Sequence, residues 1–118
     1  RRIKSNVGLI NQRYVFALIG NSQKLEIFSN YDRFRHSAPF PVKTNTWYRL
    51  KTRVDLLADG TGMVRAKAWE KGVAEPATWT LEVPHAVPHR NGAPGVYAMS
   101  PQSKKKVYFD NLLITYNK

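Results

Sequence analysis

The residues able to do chemistry are few and scattered along the chain. The eight carboxylates are Glu26, Asp32, Asp55, Asp59, Glu70, Glu75, Glu82 and Asp110. Glycoside hydrolysis needs two carboxyl groups at a fixed separation, one as acid and one as base or nucleophile, and no two of these acids are spaced as such a pair. The three histidines are His36, His85 and His89. His85 and His89 stand at i and i+4, a spacing that grips a metal on a helix, but Pro84 and Pro88 make this stretch a loop. The chain has no cysteine and no acid close by, so a four-ligand set is not at hand, and the histidines read as exposed loop residues. The lack of cysteine also excludes a disulfide framework and a thiol nucleophile. Neither a Ser-His-Asp spacing nor a Gly-rich phosphate loop is present. The expectation is a protein without catalytic residues.

Binding chemistry is better represented. Trp47, Trp69 and Trp79 carry flat rings of the kind that pack against a pyranose face. Trp47 and Trp79 read as core or edge-covering residues, and Trp69 as the exposed platform. Basic side chains recur at alternate positions: Arg49, Lys51 and Arg53, then Arg65 and Lys67. With 19 basic against 8 acidic residues the net charge is +11, which favours an acidic partner such as an acidic polysaccharide. The run Lys104-Lys105-Lys106 reads as a solvated guard at a strand end. Asp110 lies in the apolar run Val107-Tyr108-Phe109-Asp110-Asn111-Leu112-Leu113-Ile114, where a buried carboxylate must be paired, hydrogen-bonded or metal-bound.

These residues need a scaffold, and its signature is short strands. Strand-like stretches run over 7–11, 13–19, 24–29, 33–38, 47–57, 63–70, 79–83, 95–99 and 106–116, mostly separated by turn signals such as Gly20-Asn21-Ser22, Asp59-Gly60 and Lys71-Gly72. Tyr48, Leu50, Val54 and Leu56 alternate with Arg49, Lys51, Arg53 and Asp55, and Val64, Ala66 and Ala68 alternate with Arg65, Lys67 and Trp69. Period-two alternation puts one set in the core and the other on the outside. The Asp59-Gly60 turn makes these strands a hairpin, so Arg49, Lys51, Arg53, Arg65, Lys67 and Trp69 share one outer face. Like charges side by side on a sheet repel, and this face therefore calls for water or acidic groups of a partner. The stretch from Arg13 to Ile19 is apolar on both faces, so something must cover its second face. The fold expected is all-β: an antiparallel two-sheet β-sandwich over residues 1–118, in one domain. No stretch approaches the roughly 18 consecutive apolar residues of a membrane-spanning helix.

Three groups of segments carry a resemblance: Val7-Gly8-Leu9-Ile10 with Tyr14-Val15-Phe16; Trp47-Tyr48-Arg49-Leu50-Lys51 through Val64–Trp69 to Glu75-Pro76-Ala77-Thr78-Trp79; and Gly92–Tyr97 with Phe109-Asp110-Asn111-Leu112. Together they resemble the later strands of concanavalin A-like, or laminin G-like, jelly rolls, and in particular bacterial domains at the C-terminal end of β-propeller proteins similar to pyrroloquinoline-quinone binders. The resemblance implies a jelly roll lacking its first strands, a piece of a longer secreted or periplasmic protein, and a binding or architectural role with carbohydrate as the leading ligand class. It implies other domains of that parent as partners, and nucleic acid is not the expected polymer. Glucanases of the same fold carry Glu-x-Asp-x-x-Glu on one strand, a spacing absent here. No cofactor is expected beyond a structural calcium, which a last-strand aspartate like Asp110 helps to hold in related carbohydrate-binding sandwiches. Backbone amides or an arginine across the sheet are the other partners open to it.

Overall fold

Eight β-strands make up the regular structure of this computed structural model, which describes residues 5–99 and 106–115 and holds no helix among them. They are β1 (Asn6–Asn11), β2 (Tyr14–Ile19), β3 (Lys24–Ser29), β4 (Arg35–Pro39), β5 (Tyr48–Leu56), β6 (Gly62–Glu70), β7 (Leu81–His85) and β8 (Gly95–Met99). The order β4-β3-β2-β1-β8 forms a five-stranded sheet and β5-β6-β7 a three-stranded one. All pairings are antiparallel. The expected all-β, two-sheet sandwich is the architecture found.

Alternation places the core. Tyr14, Phe16, Leu18, Leu25 and Ile27 from the larger sheet, with Phe34 from the connection before β4, meet Val54, Val64, Ala66, Ala68 and Val83 from the smaller one. Burial of this apolar surface, at about 25 cal/mol per Å2, is the main force joining the sheets. The outward residues of β2 are covered as well, by a satellite cluster in which Val15, Ala17 and Phe28 pack with Ile10, Ile19 and Tyr97. The chain thus covers the second apolar face of β2 with its own side chains.

The turns explain the register. Gln12 and Arg13 both have positive φ, 47° and 70°, the signature of a primed two-residue hairpin turn. The β1–β2 hairpin therefore closes on residues that carry no Gly or Asn signal, and Arg13 lies in the turn and not in the strand. In the β5–β6 hairpin Gly60 has φ 90° and Asp59 Oδ1 accepts from both the amide and the hydroxyl of Thr61, at 3.0 and 2.6 Å.

Three expectations are corrected. The fourth strand is Arg35–Pro39 rather than 33–38, and the seventh is Leu81–His85 rather than 79–83. Pro84 therefore sits inside a strand, which is possible because β7 is the edge of its sheet and a proline there leaves no ladder bond broken on the open side. Finally, residues 106–115 form no strand. Asn111 adopts φ 53°, a left-handed conformation that interrupts an extended run. Asp110 is exposed beside it, contrary to its expected burial. Tyr116 lies outside the described residues, as do Lys104 and Lys105, while Lys106 is exposed.

Candidate functional site

The outer face of the three-stranded sheet carries the basic residues that the alternation brought together. Arg49 stands opposite Trp69, Lys51 opposite Lys67 and Arg53 opposite Arg65, so all six side chains leave the same face. The structure also supplies what relieves their repulsion. Asp55 accepts from Arg53 Nε at 2.9 Å and from Arg65 Nη1 at 2.7 Å. Glu75, on the connection from β6 to β7, accepts from Lys51 at 3.1 Å and from Lys67 at 2.8 Å. Each facing like-charge pair is bridged by one carboxylate, and Arg65 also meets Glu82 at 2.7 Å. Hydrogen bonds from Lys67 and then Lys51 hold the Glu75 carboxyl below its ordinary range.

Arg49, Lys51 and Arg53 are exposed, as expected of a solvent-facing surface, and Arg65 is half-buried, but Lys67 departs from that expectation. Lys67 is only 6% exposed. Its ammonium lies 4.9 Å from the Trp79 ring centre and 5.9 Å from that of Trp69 and donates to the Pro76 carbonyl at 2.7 Å. A cation enclosed by two indoles, a carbonyl and a carboxylate is part of the fold, with its desolvation offset by those contacts. Trp69 is half-buried, whereas Trp47, expected to be covered, is 49% exposed. Of the five cations, Arg49 alone makes no ion pair among the described residues.

The opposite outer face, on the five-stranded sheet, holds two adjoining depressions that sequence reasoning did not single out. The larger, about 540 Å3, is lined by residues including Ile19, Lys24, Glu26, Phe28, Arg35 and Tyr97. The smaller, about 300 Å3, is lined by Ile10, Arg13, Val15, Tyr31 and Gly92 among others, and Asn30 borders both. Both are shallow and open to solvent, so a ligand there would lie along the sheet surface and not be enclosed. The register accounts for the lining. Outward positions of β2 supply the apolar floor, and Tyr97 of β8 stands one strand away across Gly8, its pairing partner on β1. A Cβ at position 8 would run into the Phe16 carbonyl, so only glycine fits there. Phe28 and Tyr97 meet edge to face with ring centres 6.0 Å apart. Arg35 lies over the Phe28 ring at 4.7 Å, and Arg13 over the Tyr31 ring at 4.9 Å. Glu26 is buried and bound by both Lys24, at 3.0 Å, and Arg35. The one visible signal in the sequence was the apolar character of β2 on both faces.

A third cluster ties the two sheets together. The buried Tyr14 hydroxyl meets His85 Nδ1 at 2.6 Å, and His85 Nε2 meets Asp32 Oδ2 at 3.0 Å. The His89 amide donates to the same hydroxyl at 3.0 Å, while the His89 ring meets Ser29 Oγ at 2.7 Å. A carboxylate only accepts, so His85 Nε2 donates to Asp32, and in a neutral ring Nδ1 accepts from Tyr14. Ser29 Oγ already accepts from the Tyr31 amide at 3.1 Å. His85 is thus a buried strand residue and His89 half-buried, contrary to their reading as exposed loop histidines; His36 is exposed, but on β4. Burial, and then the neighbouring His85, hold His89 below its ordinary pKa. Both rings are committed to hydrogen bonds within the fold.

Among the described residues no three His, Cys, Asp or Glu side chains gather as ligands. Calcium takes about six to eight oxygens, and Asp110, exposed on an irregular segment, does not fit the structural site the resemblance implied. No helix of the described residues is long and apolar enough to cross a membrane. No family model, curated protein or solved structure matches this chain.

Proposed function

We propose that this chain is a non-catalytic binding module of the concanavalin A-like kind, that its ligand class is carbohydrate, and that the ligand seats on the outer face of the five-stranded sheet. The observation that carries this reading is the pair of adjoining depressions, each with an apolar floor and a tyrosine at its wall: Tyr97 in one, Tyr31 in the other. Tyr31 is 70% exposed. Sugars present apolar C–H faces and a rim of hydroxyls, and an aromatic wall beside Asn and charged side chains matches both. The basic face is the weaker candidate, because Asp55, Glu75 and Glu82 already engage four of its five cations, all but Arg49. An extracytoplasmic setting accords with this ligand class.

A second reading, of an accessory domain that packs on other domains of a parent protein, is favoured by one observation. Tyr108, Phe109, Leu112, Leu113 and Ile114 are all exposed on one short segment, and large exposed apolar patches mark interaction surfaces. Titration calorimetry against a panel of soluble oligosaccharides separates the two. Binding to at least one glycan, weakened tenfold or more by Tyr31→Ala with an unchanged melting temperature, supports the first. Failure to bind any of the panel, or binding indifferent to Tyr31→Ala and Tyr97→Ala, removes it.

A further inference from the structure

We infer that the depression on the five-stranded sheet selects an acidic glycan, one whose sugar rings carry carboxylates, such as a uronate oligomer. This rests on the carbohydrate reading above and narrows its ligand class.

The two depressions contain three cations, Arg13, Lys24 and Arg35, against a single carboxylate, Glu26. That carboxylate is shared by Lys24 and Arg35, and one negative charge cannot neutralise two positive ones. The Glu26 side chain is 5% exposed while that of Arg35 is 63% exposed. The acid is therefore sequestered at the floor and the guanidinium stands over it, with the rest of its planar fork turned to solvent. Held on one side by Glu26 and stacked on the Phe28 ring, Arg35 is pre-oriented. A fixed guanidinium binds a carboxylate through two parallel N–H bonds. Arg13 repeats the arrangement in the adjoining depression, stacked on Tyr31 with no acid among the residues lining that depression. An oligomer lying along the face would meet a stacked arginine in each depression with Asn30 between them. The other sheet makes the contrast: there each facing pair of cations is closed by a carboxylate of the chain itself, and here the closing carboxylate of the second arginine is missing.

The test uses the full chain and two probes of equal shape, an oligogalacturonate and its methyl ester, with affinities measured by calorimetry at two salt concentrations. The acid form should bind at least tenfold more tightly than the ester, and its advantage should shrink as salt rises, as it does for any ion-paired polyanion. Arg35→Gln and, separately, Arg13→Gln should each reduce that advantage. Among the described residues Arg13 makes no ion pair, so its variant breaks no salt bridge of the fold, and a melting temperature recorded for each variant separates lost binding from lost folding. Equal affinity for acid and ester, or a preference untouched by both arginine variants, overturns the inference while leaving the carbohydrate reading in place. Absence of binding to either probe and to neutral oligosaccharides removes both.

Discussion

The hydroxyl of Tyr14 and Nδ1 of His85 lie 2.6 Å apart and join the middle strand of one sheet to the edge strand of the other. The sandwich is otherwise held by apolar side chains, which press the sheets together without fixing how far one slides over the other. A directional bond between buried groups supplies that, and the His89 amide on the same oxygen brings the connection after β7 into the same lock.

Removing that oxygen leaves His85 Nδ1 and the His89 amide without their partner. Tyr14→Phe, which preserves the ring, is expected to cost about 1–3 kcal/mol, the penalty for unsatisfied buried polar groups. Urea unfolding of the two proteins measures it, and an unchanged midpoint would show that the bond does not hold the sheets.

The pH dependence has a definite sign. His89 has its folded pKa below the ordinary 6.5, through burial first and His85 second. The fold favours the neutral ring, so its contribution is intact above 6.5 and is lost as pH falls through the lowered value. Asp32 is lowered from 3.8 by the Arg33 amide and then by His85, and its contribution persists above 3.8 and disappears in stronger acid. Tyr14 is raised above 10.0, chiefly by burial, so its contribution is full below 10.0 and lost as pH rises through the higher value. Stability should form a plateau between about 7 and 9 with shoulders on both sides. His89→Gln should flatten the shoulder just below 6.5 and leave the more acid step; a melting temperature constant from pH 7 to 5 in the parent chain would contradict the account.

Lys67 is expected to behave as a core residue. Lys67→Met keeps the apolar stem but loses the bonds to Pro76 and Glu75, and should destabilise by about 1–2 kcal/mol. Arg49→Gln, on the same face and without an ion pair, should change stability by less than about 0.5 kcal/mol. Thermal melts of both variants check the contrast, and equal effects would mean that the indole cage contributes nothing.

How far these features could be read from the chain depends on how local their cause is. The face shared by Arg49, Lys51, Arg53, Arg65 and Lys67 was legible, because alternation and one Asp-Gly turn determine it. The burial of Lys67 was not, since Glu75, Pro76 and Trp79 reach it only after the 71–80 segment folds back over the sheet. His85 was misread because Pro84 looked like a strand breaker, and only the edge position of β7 makes a proline acceptable there. The 106–115 stretch has a strand-like composition, yet Asn111 takes a left-handed conformation and nothing in the described chain pairs with it. The depressions were visible only as an unexplained apolar second face on β2; Tyr31, Arg35 and Tyr97 come from three separate segments, and no spacing announces their meeting.

Asp110 provides a simple check of that last stretch. Because it is exposed, Asp110→Ala should shift stability by no more than about 0.5 kcal/mol, and a chelator should leave the melting temperature of both proteins where it was. A loss of several degrees in the variant would show that the carboxylate is buried after all.

The most direct test of the central claim is a two-dimensional amide NMR titration of the isotope-labelled chain with a uronate oligomer. Shifts should concentrate at Arg13, Val15, Phe28, Asn30, Tyr31, Arg35 and Tyr97, with the amides of Arg49, Lys51, Arg53, Arg65 and Lys67 unmoved. Shifts centred on β5 and β6 instead, or none at saturating oligomer, would contradict it.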